Sequence, residues 1–209
     1  MNILCIGAHP DDIEIGCAGT IKRYVNQGAK VYYLIATLGE KVSVDNTELL
    51  KIKDSRTKES IKAAKYIGAS DIFMLNLNDT RIKHDGDTVK AIEKKINEIN
   101  PDYIFTHTVD DNHQDHKNIA LSSLSACRRR KCNILHYESP STAQHFVPTV
   151  YSDITDTVDN KIESIKLFLT QEQKVYVDPE AIKGLAKYRG YTSGIYEYAE
   201  AFSVTKIFL

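Results

Sequence analysis

The 209-residue chain has no tryptophan, five prolines and four cysteines, and its 27 basic and 28 acidic residues nearly cancel. Balanced charge argues against a phosphate-backbone binder, which shows a basic excess, so no nucleic-acid partner is expected. No apolar run reaches the roughly 18 residues of a membrane span. No Cys-x-x-Cys pair occurs among Cys5, Cys17, Cys127 and Cys132, which excludes a zinc knuckle or a thioredoxin-type motif. Cys5 sits in an apolar run and reads as a small buried hydrophobe. The first residues lack the basic region of a secretory signal, so a reducing cytoplasm is the expected compartment. The one cationic cluster, Arg128-Arg129-Arg130-Lys131, reads as a solvated helix C-terminus complementing the helix dipole.

Short apolar runs alternate with longer amphipathic stretches. Strands are expected at 2–8, 30–37, 71–75, 103–106 and 133–137. Helices are expected at 14–27, 49–67, 87–99 and 116–129. That alternation predicts β-α-β units: a Rossmann-like three-layer α/β/α fold with a mostly parallel sheet. Beyond about residue 140 the pattern predicts a strand within 147–155, helices at 156–170 and 178–188, and a closing strand at 202–208. These read as a C-terminal elaboration, and residues 1–209 as one domain.

Two segments concentrate chemistry. Ala8-His9-Pro10-Asp11-Asp12-Ile13-Glu14 lies where the first strand hands over to the first helix, the edge at which doubly wound sheets bind ligands. Imidazole with carboxylate suits Zn²⁺ or Fe²⁺, and two adjacent carboxylates allow one to ligate while the other serves as a base. The plainer reading is a helix cap, because Asp11 and Glu14 have capping-box-like spacing. Gly7, Gly16 and Gly19 do not form a dinucleotide fingerprint, and adjacent acids would repel a phosphate. The second segment, Asp110-Asp111-Asn112-His113-Gln114-Asp115-His116, follows the fourth strand and reaches the same edge. One of its histidines can ligate while the other donates a proton; the plainer reading is a polar surface loop. Together the segments supply two histidines and an aspartate with a coordination position left open, the form of a catalytic metal site.

With Gly16-Cys17-Ala18-Gly19-Thr20 and His113-Gln114-Asp115-His116, the first segment resembles the PIG-L/LmbE family of zinc-dependent de-N-acetylases. The resemblance extends to Arg56 and Glu59, Asp153-Ile154, Gln171 and Ala199-Glu200-Ala201-Phe202. Ala18 stands where a second glycine is usual and Gln114 where proline is common. The resemblance implies that His9, Asp12 and His116 bind Zn²⁺ (or Fe²⁺ in vivo). It implies Asp11 as general base, and His113, paired with Asp115, as general acid or oxyanion stabiliser. Arg56 matches a substrate-contacting position, against the alternative of a surface pair with Glu59. The expected activity is removal of an N-acetyl group from an N-acetylglucosamine-type sugar, by a homo-oligomer. A metal-dependent amidase acting on a thiol-sugar conjugate would use the same ligands. A non-catalytic metal- or sugar-binding protein and a nucleotide-binding module are the readings from other classes.

Recognition of the sugar is read from Tyr188, Tyr191, Tyr196 and Tyr198, with Tyr191 as the candidate contact, since tyrosine offers a stacking face and a hydroxyl. Gly190 and Gly194 would let that segment move as a lid. Residues 38–46 would line the mouth of the site.

Overall fold

The computed structural model describes residues 1–40 and 46–208, apart from the side chains of 46–49. The expected mouth loop at 38–46 falls mainly on 41–45, outside the described residues. The chain runs β1 (Asn2–Gly7), α1 (Asp12–Asn26), β2 (Lys30–Thr37), α2 (Asn46–Ile67), β3 (Asp71–Leu77), α3 (Gly86–Ile99), β4 (Tyr103–His107), α4 (Gln114–Ala126) and β5 (Asn133–Tyr137). Then follow β6 (Val150–Asp153), α5 (Val158–Ile165), two short 3₁₀ turns (Leu169–Gln171 and Val175–Val177), α6 (Pro179–Ser193) and β7 (Ala199–Lys206).

The sheet order is β3-β2-β1-β4-β5-β7-β6. The first five strands are parallel; β7 runs antiparallel to both β5 and β6. After β1 the chain winds outward through β2 and β3, then returns to place β4 on the other flank of β1. The topological switch therefore lies between β1 and β4, with Ile3 opposite Tyr103.

Alternation along the strands makes the three layers. Ile3 and Cys5 face one way with Tyr33, Ile35 and Phe105, against Ile13, Cys17 and Ile21 of α1 and Ala64 and Ile67 of α2. Leu4 and Ile6 face the other way with Leu34 and Ile104, against Ile92 and Ile96 of α3 and Ile119 of α4.

The late segment departs most from expectation. The helix expected at 156–170 stops at Ile165 and gives way to 3₁₀ turns, because Glu59 takes the Thr170 N–H and hydroxyl away from any continuing helix. α6 continues to Ser193 and ends at Gly194 in the left-handed conformation. The closing strand starts three residues early, at Ala199, which brings Glu200 inside. Glu200 accepts from the backbone N–H groups of Gly19 and Thr20, and Lys161 bonds both Glu200 and the Ile15 carbonyl. This buried pair ties α5 and β7 to α1. α4 ends before the cationic cluster, and Arg128 donates to the Ser125 carbonyl at 2.8 Å, as a cation at a helix C-terminus should.

Two residues of α1 carry testable consequences. Gly16 presses against the ring of Tyr137, whose hydroxyl donates to the Ile6 carbonyl. A methyl group at Gly16 would overlap that ring, so Gly16→Ala should destabilise the fold by about 1–3 kcal/mol in urea unfolding. Glu14 is buried, and neither carboxyl oxygen has a hydrogen-bond partner among the described residues. Burial raises its pKa from 4.5 to about 8. The folded chain therefore keeps a proton that the unfolded chain has released, and this group lowers stability as pH rises across that interval. Glu14→Gln should gain on the wild type in melting temperature between pH 5 and pH 8, and should not at pH 4.

Candidate metal centre and active site

Asp11 stands at the N-terminus of α1 with φ 98°, ψ −26°, in the left-handed region, and its side chain makes no capping hydrogen bond. The capping reading is thereby set aside. A non-glycine residue in such a conformation typically costs on the order of 1–3 kcal/mol, and such residues concentrate at functional sites. The turn aims Asp11 at Arg56 of α2, whose Nη2 donates to Asp11 Oδ2 at 3.2 Å and to the Pro10 carbonyl at 2.9 Å. Arg56 Nη1 donates to the Gly39 carbonyl at 2.8 Å. Arg56 is thus buried against the first segment, and the surface pair with Glu59 is not formed; Glu59 is occupied by Thr170.

The two segments meet. His9 Nδ1 and His116 Nε2 are 3.3 Å apart. Asp12 turns one oxygen to His9 Nδ1 at 3.4 Å and the other to His116 Nε2 at 3.3 Å. Donors about 2.0–2.1 Å from a tetrahedral ion stand about 3.3–3.4 Å from one another. The His9–His116 separation matches that spacing, and Asp12 reaches the two imidazoles with different oxygens, so the three side chains converge where one small divalent ion could be held. Overlapping donor sets lie within 4.8 Å of one another: His9–His113–His116, Asp12–His107–His116 and His9–Asp79–Asp115. His9, Asp12 and His116 fit best, because their remaining atoms are committed elsewhere in a way that aims them.

Those commitments are carboxylates behind the imidazoles. Asp111 Oδ2 lies 3.2 Å from His116 Nδ1 and also accepts from Ser139; its other oxygen accepts from Ser141 and from the His113 N–H. Asp115 is fully buried and accepts from the backbone N–H groups of Thr80 and Ile82, and its Oδ2 lies 3.3 Å from His9 Nε2. Asp79 is 3.1 Å from the same nitrogen. A carboxylate behind a ligating imidazole fixes its tautomer and raises its basicity. The pairing expected between Asp115 and His113 is not a side-chain contact. It is the Asp115 backbone N–H that donates to His113 Nδ1, at 3.2 Å, because His113 is the N-cap of α4. That bond makes Nδ1 an acceptor and leaves the proton of a neutral His113 on Nε2.

Electrostatics sort these groups. Burial would lower the His116 pKa, yet the charge of Asp12 and the bond to Asp111 outweigh it and raise it to about 9. His9 is raised also, its carboxylate neighbours overcoming burial. Burial pushes Asp11 up to about 7, against the pull of Arg56. Burial and the neighbouring His116 lower His113. His107 is buried at the end of β4, 3.0 Å from Asp12 Oδ2 and stacked on His116 at 3.9 Å between ring centres; burial lowers its pKa to about 4, so it is neutral.

A cavity of about 380 Å³ opens over this cluster, lined by His9, Asp11, Asp12, Arg56, Asp79, His113, His116 and Tyr176 among others. Tyr191 is not in it. Its side chain is 82% exposed on α6, because the helix continues past residue 188 and turns Gly190 inward instead. A Cβ at Gly190 would stand 2.5 Å from the Glu197 carbonyl oxygen, so this glycine serves close packing and not a lid hinge. Tyr176, Asp79, His107 and the partner of Asp115 escaped the sequence reading. Asp79 and His107 have one usable signal: each ends or follows a parallel strand at the ligand edge.

Fold and site together define an α/β protein with a cluster of histidines and aspartates that could hold a metal ion at the topological switch point. The chain belongs to the PIG-L family, described as GlcNAc-PI de-N-acetylase, whose model matches residues 4–127. An Escherichia coli protein described as uncharacterized deacetylase YaiS is 36% identical over 160 residues, covering 74% of this chain and 82% of that protein. Diacetylchitobiose deacetylase of Thermococcus kodakarensis is 25% identical over 226 residues, covering 99% of this chain and 84% of that enzyme. Among solved structures, GalB, the 4-carboxy-2-hydroxymuconate hydratase of Pseudomonas putida, superposes with a TM-score of 0.86 at 21% identity, covering 100% of this chain and 97% of that one. At that identity the likeness is one of fold.

The ligand set makes a graded prediction. His116→Ala and Asp12→Ala should abolish binding of one equivalent of Zn²⁺ measured against a competing chelator. Asp111→Asn should retain the ion with affinity lowered about 10–100-fold.

Proposed function

We propose that the chain hydrolyses the N-acetyl group of an N-acetylglucosamine-type amino sugar or its conjugate, releasing acetate and the free amine. The observation that carries this reading is the open metal-type triad of His9, Asp12 and His116 beside a buried, strained carboxylate, Asp11, held by Arg56. Membership of a de-N-acetylase family and the relatives named for deacetylation support it.

His9, Asp12 and His116 would hold the ion, Zn²⁺ or, with the same donors, Fe²⁺. Such an ion polarises the amide carbonyl and makes a water acidic enough to attack at neutral pH. Asp11 takes the proton from the attacking water, a role its strained, buried placement beside His9, Asp12 and His116 suits. His113, neutral and bearing its proton on Nε2, donates a hydrogen bond to the carbonyl oxygen as negative charge develops there. The C–N bond then breaks, and Asp11 returns the proton to the departing nitrogen. Asp115 and Asp111 act through His9 and His116, as positioning residues. Arg56 holds Asp11 and lines the cavity; Tyr176 takes the wall position that Tyr191 does not reach.

We further propose a homo-oligomer in a reducing cytoplasm. Exposed Val147, Tyr191 and Ile195 support self-association, and four buried free thiols suit that compartment. No helix among the described residues is long and apolar enough to cross a membrane.

Acetate release from N-acetylglucosamine conjugates by the metal-loaded protein tests the activity and separates it from the hydration named for the structural relative. Asp11→Asn should lower kcat by at least about 10²-fold while the ion stays bound. Undiminished turnover in Asp11→Asn would remove the proposed base.

A further inference from the structure

A second cavity, of about 430 Å³, adjoins the first and shares Ile15, Pro140 and Tyr176 with it. Ile15 follows Asp11 by one helical turn on α1, so the second space begins one turn from the proposed base. Its depth is formed by Ile182 and Ala186, both buried on one face of α6, over Ala199 and Ala201 of β7. At its mouth stand Val175, 89% exposed, and Leu185, 38% exposed.

Charged residues reach this wall, but they are closed on one another. Lys161 is spent on Glu200 and the Ile15 carbonyl, and Glu200 also on the Gly19 and Thr20 N–H groups. Arg189 grips both oxygens of Glu138, at 2.7 and 2.6 Å. A polar ligand would have to break these pairs to be recognised, whereas an apolar one gains by covering wetted aliphatic surface. The catalytic cavity is already within the size range of small-ligand pockets, so the second space exceeds what an acetamido sugar requires.

We propose that this cavity is an apolar subsite holding a hydrophobic substituent of the amide substrate. The proposal builds on the deacylase reading and narrows its substrate class. The substituent can come from the sugar, as a hydrophobic aglycone, or from the amide, as an acyl chain longer than acetyl. The chemistry recognised is the same.

The metal-loaded protein is assayed on two substrate pairs: methyl against hexyl glycosides of N-acetylglucosamine, and N-acetyl- against N-hexanoylglucosamine. One pair should show kcat/KM about tenfold or more higher for the hexyl- or hexanoyl-bearing member, and which pair does so identifies the source. Ala181→Phe, on an exposed turn of the lining, and Leu185→Gln should each move that ratio towards one. Calorimetry with methyl and hexyl glucosaminide, which carry no amide, reads the cavity even if no amide is cleaved. Tighter binding of the hexyl compound, weakened by Ala181→Phe, is expected. Equal binding of the two, or a preference that neither substitution moves, overturns the subsite.

Discussion

Parallel pairing of β1 with β4 is the constraint from which the site follows. The loops leaving those two strands carry the histidines, and only adjacency of the strands brings residues more than a hundred positions apart to 3.3 Å. The pairing is enforced by alternation: Ile3 and Cys5 supply one core face, Leu4 and Ile6 the other. A register slip of one residue would reverse both faces at once. The position of the candidate site is thus protected by the whole hydrophobic core and not by the polar residues that form it.

The same sheet edge gathers five aspartates, and environment separates their tasks. Asp12 is held ionised, despite burial, by the charge of His116 and the hydrogen bond from His107. Asp111 is likewise held well below the usual carboxylate range by His116, against burial. Asp79 and Asp115 stand behind His9. Asp11 has its pKa raised, because burial there exceeds the pull of Arg56 and the neighbouring imidazoles. Adjacent residues in sequence, Asp11 and Asp12, are therefore turned to different surroundings by a single backbone reversal at Asp11, which suits the separate roles of acid–base group and ligand proposed for them.

His9, Asp11, Asp12, His113 and His116 are legible in the sequence because they fall in two dense clusters at strand–helix junctions, and junctions of a parallel sheet share one edge. The strand–helix alternation and the three layers are legible for a related reason, since apolar period and spacing are local properties. What is not legible depends on which distant backbone a side chain meets. Asp115 looks like the natural partner of His113, two residues away, yet capping geometry gives His113 the backbone N–H and leaves the carboxylate free for His9. Tyr191 looks available for stacking, but one further turn of α6 carries it to solvent. The helix expected at 156–170 stops early because Glu59, on remote α2, takes the Thr170 N–H and hydroxyl.

A hydratase and deacetylases share this fold, so the sheet and its loops do not choose the reaction. What chooses is the disposition of proton donors and acceptors around the ion. Hydrolysis of an amide needs one group that takes a proton from water and gives it to nitrogen, and a separate donor for the carbonyl oxygen. In the proposed reaction Asp11, aimed by its backbone reversal and held by Arg56, meets the first need. In the same proposal His113, set as an Nε2–H donor by the cap of α4, meets the second without changing its protonation state. The tautomer of His113 therefore matters more to the choice of chemistry than its charge, and it is set by a backbone amide that no side-chain motif displays.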